Sequence, residues 1–137
     1  MFRVDFEDLN KTMAIRFRRN ADKQTACDFS IGPLGTPTKD LEPVISTVAG
    51  RWHTDKFDKV IGQKTSLART LNQYSASFGM LGIVQCSPEE LENLKNLFVP
   101  LSKDHKIQIW QAWKDWVIKN GIRTTFDMNL ILRDANE

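Results

Sequence analysis

Phe2, Val4 and Phe6 alternate with charged residues, and Met13, Ile15 and Phe17 alternate with Ala14, Arg16 and Arg18. Side chains two apart share one face of a strand, so each set predicts a strand with one buried face. Asp8-Leu9-Asn10-Lys11 between them predicts a turn, and the pair a hairpin. Residues 26–31 predict a third strand. The glycines and prolines of 32–37 predict a loop. A fourth strand is expected over 44–52, which is rich in β-branched residues and follows Pro43.

The period then changes to that of a helix. Thr54 can cap a helix whose first turn carries Asp55 and Asp58, facing its positive end. Its apolar positions are Phe57, Val60, Ile61, Leu67, Ala68 and Leu71, and an end between 73 and 77 is expected. Ser87-Pro88-Glu89-Glu90 combines a capping serine, a proline at the first helical position and a glutamate three after the cap. That second helix carries Leu91, Leu94, Leu97 and Phe98 and stops before Pro100. Ser102 begins a third, and Gly121 ends it. Phe126, Met128, Leu130 and Leu132 then predict a last strand. Segregated strands and helices imply an α+β domain: an N-terminal antiparallel sheet, about three helices and a C-terminal strand. The expected organisation is one domain over 1–137, mainly β to residue 53, helical over 54–120, with a strand-like tail from 121.

Composition narrows the function classes. No apolar run approaches the roughly 20 residues that span a bilayer, and the first residues lack a secretory pattern, so a cytoplasmic protein away from membranes is expected. The formal net charge of +2 is too small to argue for nucleic acid. Cys27 and Cys86 have neither metal-ligand nor redox spacing and read as reduced thiols. His53 and His105 stand in no metal frame, and no nucleophile elbow or phosphate loop is present. No catalytic set, metal or cofactor is therefore expected.

The first helix breaks two local rules. At about 100° per residue, Lys64 falls between Leu71 and Phe57 on the apolar face, while Gly62 and Arg69 lie together on the polar side. Glycine inside a helix costs about 1 kcal/mol relative to alanine. Two readings stay open. Either Lys64 reaches along the surface to solvent while Gly62 lets another chain approach closely, or the backbone at Gly62 admits a ligand while Lys64 and Arg69 supply charge. Arg51, His53 and Lys56 can join from the strand end. On the third helix Trp110, Trp113 and Trp116, with Ile107, Ile109, Val117 and Ile118, form a wide apolar arc. It suits either a packed helix or a subunit interface, and a tryptophan there can stack on a base.

Arg51, Asp55-Lys56-Phe57, Gly62-Gln63-Lys64, Leu67-Ala68-Arg69-Thr70-Leu71 and Ile109-Trp110-Gln111-Ala112-Trp113 together give a pattern. It resembles the first family of phage-encoded Thoeris anti-defence proteins. The pattern covers about 50–74 and 104–114. It departs from the family at Gln63, where a basic residue is expected, and in the continuing tail 121–137. The resemblance implies a sheet followed by helices. It also implies an oligomer, a dimer or a multiple of dimers, working in the host bacterial cytoplasm. Such a protein is a sponge: it binds a cyclic nucleotide signal, a cyclic ADP-ribose isomer or a cyclic oligonucleotide, without cleaving it. Carried over, the ligand-binding residues are Arg51, Lys56, Phe57, Gly62, Lys64, Arg69, Trp110 and Trp113. The rival classes are a phage inhibitor that binds a host defence enzyme directly, through the tryptophan-rich helix, and a nucleic-acid binder using Arg16, Arg18 and Arg19.

Overall fold

The computed structural model describes residues 1–19, 24–49 and 59–122. The expected helix cap at Thr54, the end of the fourth strand at Trp52 and the C-terminal strand of 126–132 lie outside them.

Alternation in the first third builds the sheet. β1 (Phe2–Phe6) pairs antiparallel with β2 (Lys11–Arg19), Phe2 opposite Ile15 and Phe6 opposite Lys11. The turn between them closes on Asn10, whose φ of 54° suits asparagine better than most residues. β3 (Thr25–Pro33) and β4 (Glu42–Ala49) complete a four-stranded antiparallel meander in the order β1-β2-β3-β4. Gly32 and Pro33, expected in a loop, end β3 instead, and β4 begins early enough to include Pro43. β4 is an edge strand, where a missing N–H is tolerated, and the register slips between Phe29 and Ser30 opposite that proline.

Directly opposed residues share a face. Phe2, Ile15, Phe29 and Ile45 form one row across the sheet, and all four are buried. The helices cover this face. α1 (Lys59–Met80) packs on β3 and β4, and α3 (Lys103–Lys119) packs on β1. Between them α2 (Pro88–Leu97) buries no residue fully. The caps read from the sequence are made: Ser87 accepts from the Glu90 N–H, and Ser102 accepts from the His105 N–H. Gly121, at φ 61°, closes α3 with two bonds, its N–H to Ile118 and that of Ile122 to Val117.

α1 corrects two expectations. It runs to Met80, and its buried face is rotated from the one the apolar pattern marks. The buried residues are Val60, Gln63, Ser66, Leu67, Thr70, Leu71 and Tyr74, while Ile61 is 45% exposed. Three polar residues face inward because each finds a partner. Thr70 and Thr47 share a hydrogen bond of 2.7 Å between hydroxyls, Ser66 Oγ donates to the Gly62 carbonyl, and Gln63 Oε1 accepts the Trp113 indole N–H. Lys64 consequently borders the buried face instead of occupying its centre.

The tryptophan arc of α3 lies within this core. Trp113 is fully buried and Trp110 nearly so, while half-buried Trp116 packs on Phe2 and Phe17 with centroids 6.1 and 5.9 Å away. Ile118 alone of the arc is largely exposed, at 62%. The breadth of the arc is thus explained by packing inside the chain and gives no argument for an interface on α3.

Candidate functional site

Four elements meet at one end of the sheet and enclose a groove of about 330 Å³. β2 ends there with Phe17, Arg18 and Arg19; β3 starts there with Thr25; α1 starts with Lys59 and Gln63; Trp116 comes from the last turn of α3. Strand alternation places Phe17 and Arg19 on the helix-facing side. Register sets Arg19 opposite Thr25 and Thr25 opposite Ala49. Gln63 is held by its bond from Trp113 at 3.0 Å. The tilted Phe17 and Trp116 rings form an aromatic wall.

Arg18 stands at the groove's rim with its guanidinium fixed from the other side of the sheet. Its Nε donates to Asp28 Oδ2 at 2.6 Å and its terminal nitrogen to Asp28 Oδ1 at 3.2 Å. Ser46 Oγ donates to the same carboxylate at 2.6 Å. The Arg18 hydrogen bonds, ahead of that from Ser46, hold the Asp28 carboxyl below the usual carboxylate range.

Two basic side chains, Arg19 and Lys59, therefore line the groove on its helix side, while Arg18 borders it with its guanidinium paired to Asp28 across the sheet, and no carboxylate is among the described lining residues. Arginine offers an anion a planar fork and lysine a point charge. An aromatic wall beside them suits the π-face of a base. The volume lies at the lower end of the range for small-molecule sites.

The residues expected from the sequence fall unevenly around this groove. Arg51, Lys56 and Phe57 lie outside the described residues. The chain leaves β4 at Ala49, opposite Thr25, and is described again from Lys59 in the groove wall. Gly62 does not present open backbone to a ligand. A Cβ there would stand 2.4 Å from Thr25 Oγ1 and 3.1 Å from its Cβ, so the glycine is the point where α1 and β3 touch. Lys64 is half-buried on the flank of α1 and is not part of the lining. Arg69 is exposed and donates to the Val48 carbonyl at 2.6 Å, tying α1 to β4. Trp110 and Trp113 are core residues, unable to offer a ring face to a ligand. The basic residue that the resemblance expects at 63 would have to bury its charge beside the Trp113 indole, whereas Gln63 supplies the acceptor that indole needs.

Phe17, Thr25 and Lys59 are groove residues that sequence reasoning did not raise as site residues, while Arg19 was raised only for nucleic acid and Trp116 only within the apolar arc of the third helix. The signal available was two consecutive arginines at the end of an alternating strand, but nothing in the chain ties them to Lys59 or Trp116.

A serine, a histidine and an aspartate do converge elsewhere. Ser102 Oγ lies 3.0 Å from His105 Nδ1, and His105 Nε2 lies 2.6 Å from Asp8 Oδ2. The distances are those of a catalytic triad, but the roles are not. Nδ1 already accepts the Ser102 backbone N–H at 2.9 Å, so its lone pair is not available to take the serine proton. The cluster is a helix cap fastened to the β1–β2 turn. Nor is Cys27 a nucleophile: it is fully buried, and that burial pushes its thiol up to about 12. Among the described residues no group of three His, Cys, Asp or Glu side chains is placed to hold a metal, and no helix is long and apolar enough to cross a membrane.

No protein-family model, curated protein or solved structure matches this chain, so the groove itself is what bears on its chemistry.

Proposed function

We propose that this protein binds a phosphate-bearing nucleotide signal in the groove between β2, β3, α1 and α3 and sequesters it without cleavage. The class of ligand is the cyclic ADP-ribose type that the sequence resemblance implies, and the role is that of a phage anti-defence sponge. One observation carries the reading: Arg19 and Lys59 converge beside the Phe17–Trp116 wall with no carboxylate in the described lining. Fixed cations would hold phosphates, the rings would take a base, and Gln63 is held rigidly at its back.

Calorimetry with cyclic ADP-ribose, and with linear ADP-ribose as comparison, tests it. Lys59→Gln and Arg19→Gln should each weaken binding by roughly 10- to 150-fold, the cost of a charge-assisted hydrogen bond of about 1.5–3 kcal/mol. The ligand released by heating should have its original mass. Linearised product above the protein-free control would make the protein an enzyme, and unchanged affinity in both variants would remove the groove as the site.

A second reading, inhibition by direct protein contact, is favoured by the far end of α1. There Phe78, Met80, Ile83 and Val84 are exposed, Ile83 by 70%, beside a cavity lined by Leu91, Phe98 and Val99. The self-assembly that the resemblance implies has the same patch to use. Light scattering distinguishes the occupants: a monomer mass excludes a second copy, and loss of a dimer mass in Ile83→Asp assigns the patch to it.

A further inference from the structure

The outer face of the sheet, away from the helices, carries a cavity of about 420 Å³. Its floor is apolar: Ala14 and Leu41 are nearly buried, and Val44 is half-buried at the register slip. Its polar wall is built from three strands in register, with Arg16 of β2 directly opposite Asp28 of β3. Ser30 and Ser46 stand on the same side, and Thr38 reaches in from the turn before β4.

The pairing within this wall is unexpected. Asp28 is the cross-strand neighbour of Arg16, yet its carboxylate is taken by Arg18, two residues along, and by Ser46. Arg18 and Asp28 thus neutralise one another inside a fixed network. Arg16 acts on that carboxylate only through charge, and it lines the apolar-floored cavity together with Met1, whose ammonium group is close enough to feel the guanidinium.

From this we infer a second ligand site, for a small monocarboxylic acid with a short apolar body. The guanidinium fork matches one carboxylate in bidentate fashion, and the apolar floor suits a short hydrocarbon body better than a second charged group. Ser30 and Thr38 supply hydroxyl donors, and Leu41 and Val44 receive the apolar end. The site is separate from the helix-side groove and does not depend on the reading given to it.

The test is a nitrogen-15 chemical-shift titration of the full chain with sodium propionate, against sodium chloride at equal ionic strength and against neutral 1-propanol. Propionate should shift the Ser30, Thr38 and Ser46 amides saturably, and the other two should not. Arg16→Gln, at an exposed position that leaves the core intact, should weaken the response about tenfold or more, and Thr38→Val should weaken it less. Lys59→Gln, in the groove, should leave it unchanged. Equal shifts from propanol, an unaltered response in Arg16→Gln, or shifts confined to the groove residues would each overturn the assignment.

Discussion

The indole N–H of Trp113 on α3 donates to Oε1 of Gln63 on α1 at 3.0 Å, and both side chains are fully buried. This bond joins the two long helices beneath the groove. Gln63→Leu keeps the volume but leaves the indole donor without a partner. It should cost about 1–3 kcal/mol in urea unfolding. Trp113→Phe in that background should show strong coupling, because the orphaned donor is then gone.

Gly62→Ala tests the contact between α1 and β3. Helix propensity alone favours alanine by about 1 kcal/mol. The added Cβ meets Thr25 at 2.4 Å, so the net effect should be destabilising by about 1–3 kcal/mol, the usual cost of overpacking. The loss should shrink in a Thr25→Ala background, since the nearest atom, Oγ1, is then absent. A stabilised Gly62→Ala protein would contradict the close approach.

Lys64→Met and Arg69→Ala separate the groove from the basic flank of α1. Neither residue lines the groove. Arg69→Ala loses its bond to the Val48 carbonyl and should cost about 0.5–1.5 kcal/mol. Cyclic ADP-ribose affinity should be unchanged in both. A tenfold loss in either would move the site to the flank of α1.

Acid should weaken the fold through three carboxylates. Thr12 is the main cause holding Asp5 below the usual range, His105 does so for Asp8, and Arg18 for Asp28. A folded value below the unfolded one of about 3.9 gives stability that is present above that pH and lost as pH falls through the folded values. Urea midpoints should therefore be steady above about pH 5 and fall below about pH 4. Asp28→Asn should flatten that fall, and an identical slope would show that the Arg18 network does not contribute.

The parts of the fold legible in the sequence were those set by neighbouring residues. The caps at Ser87 and Ser102, the stop at Gly121 and the strand face of Phe2, Met13 and Ile15 each depend on a few local positions. The inward face of α1 was not legible. Gln63, Ser66 and Thr70 look like solvent positions until Trp113 and Thr47 arrive from other elements to bond two of them. The groove was hidden for the same reason, since Arg19, Lys59 and Trp116 are far apart in the chain. The tryptophans on α3 were visible, but not that Trp113 faces the core while Trp116 faces the groove.

The bond from His105 to Asp8 spans 97 positions of the chain. Every strand pairing among the described residues, by contrast, joins sequence neighbours. Closing a long loop costs more entropy than closing a hairpin, so the meander is the cheaper structure to form first. The contacts of α3 with β1, including Trp116 on Phe2, are then the late fastening of the molecule. On that order, loosening the Asp8 and Phe2 contacts would leave the refolding rate nearly untouched and shorten the lifetime of the native state instead. The groove, walled by both the sheet and α3, would last only as long as that fastening holds.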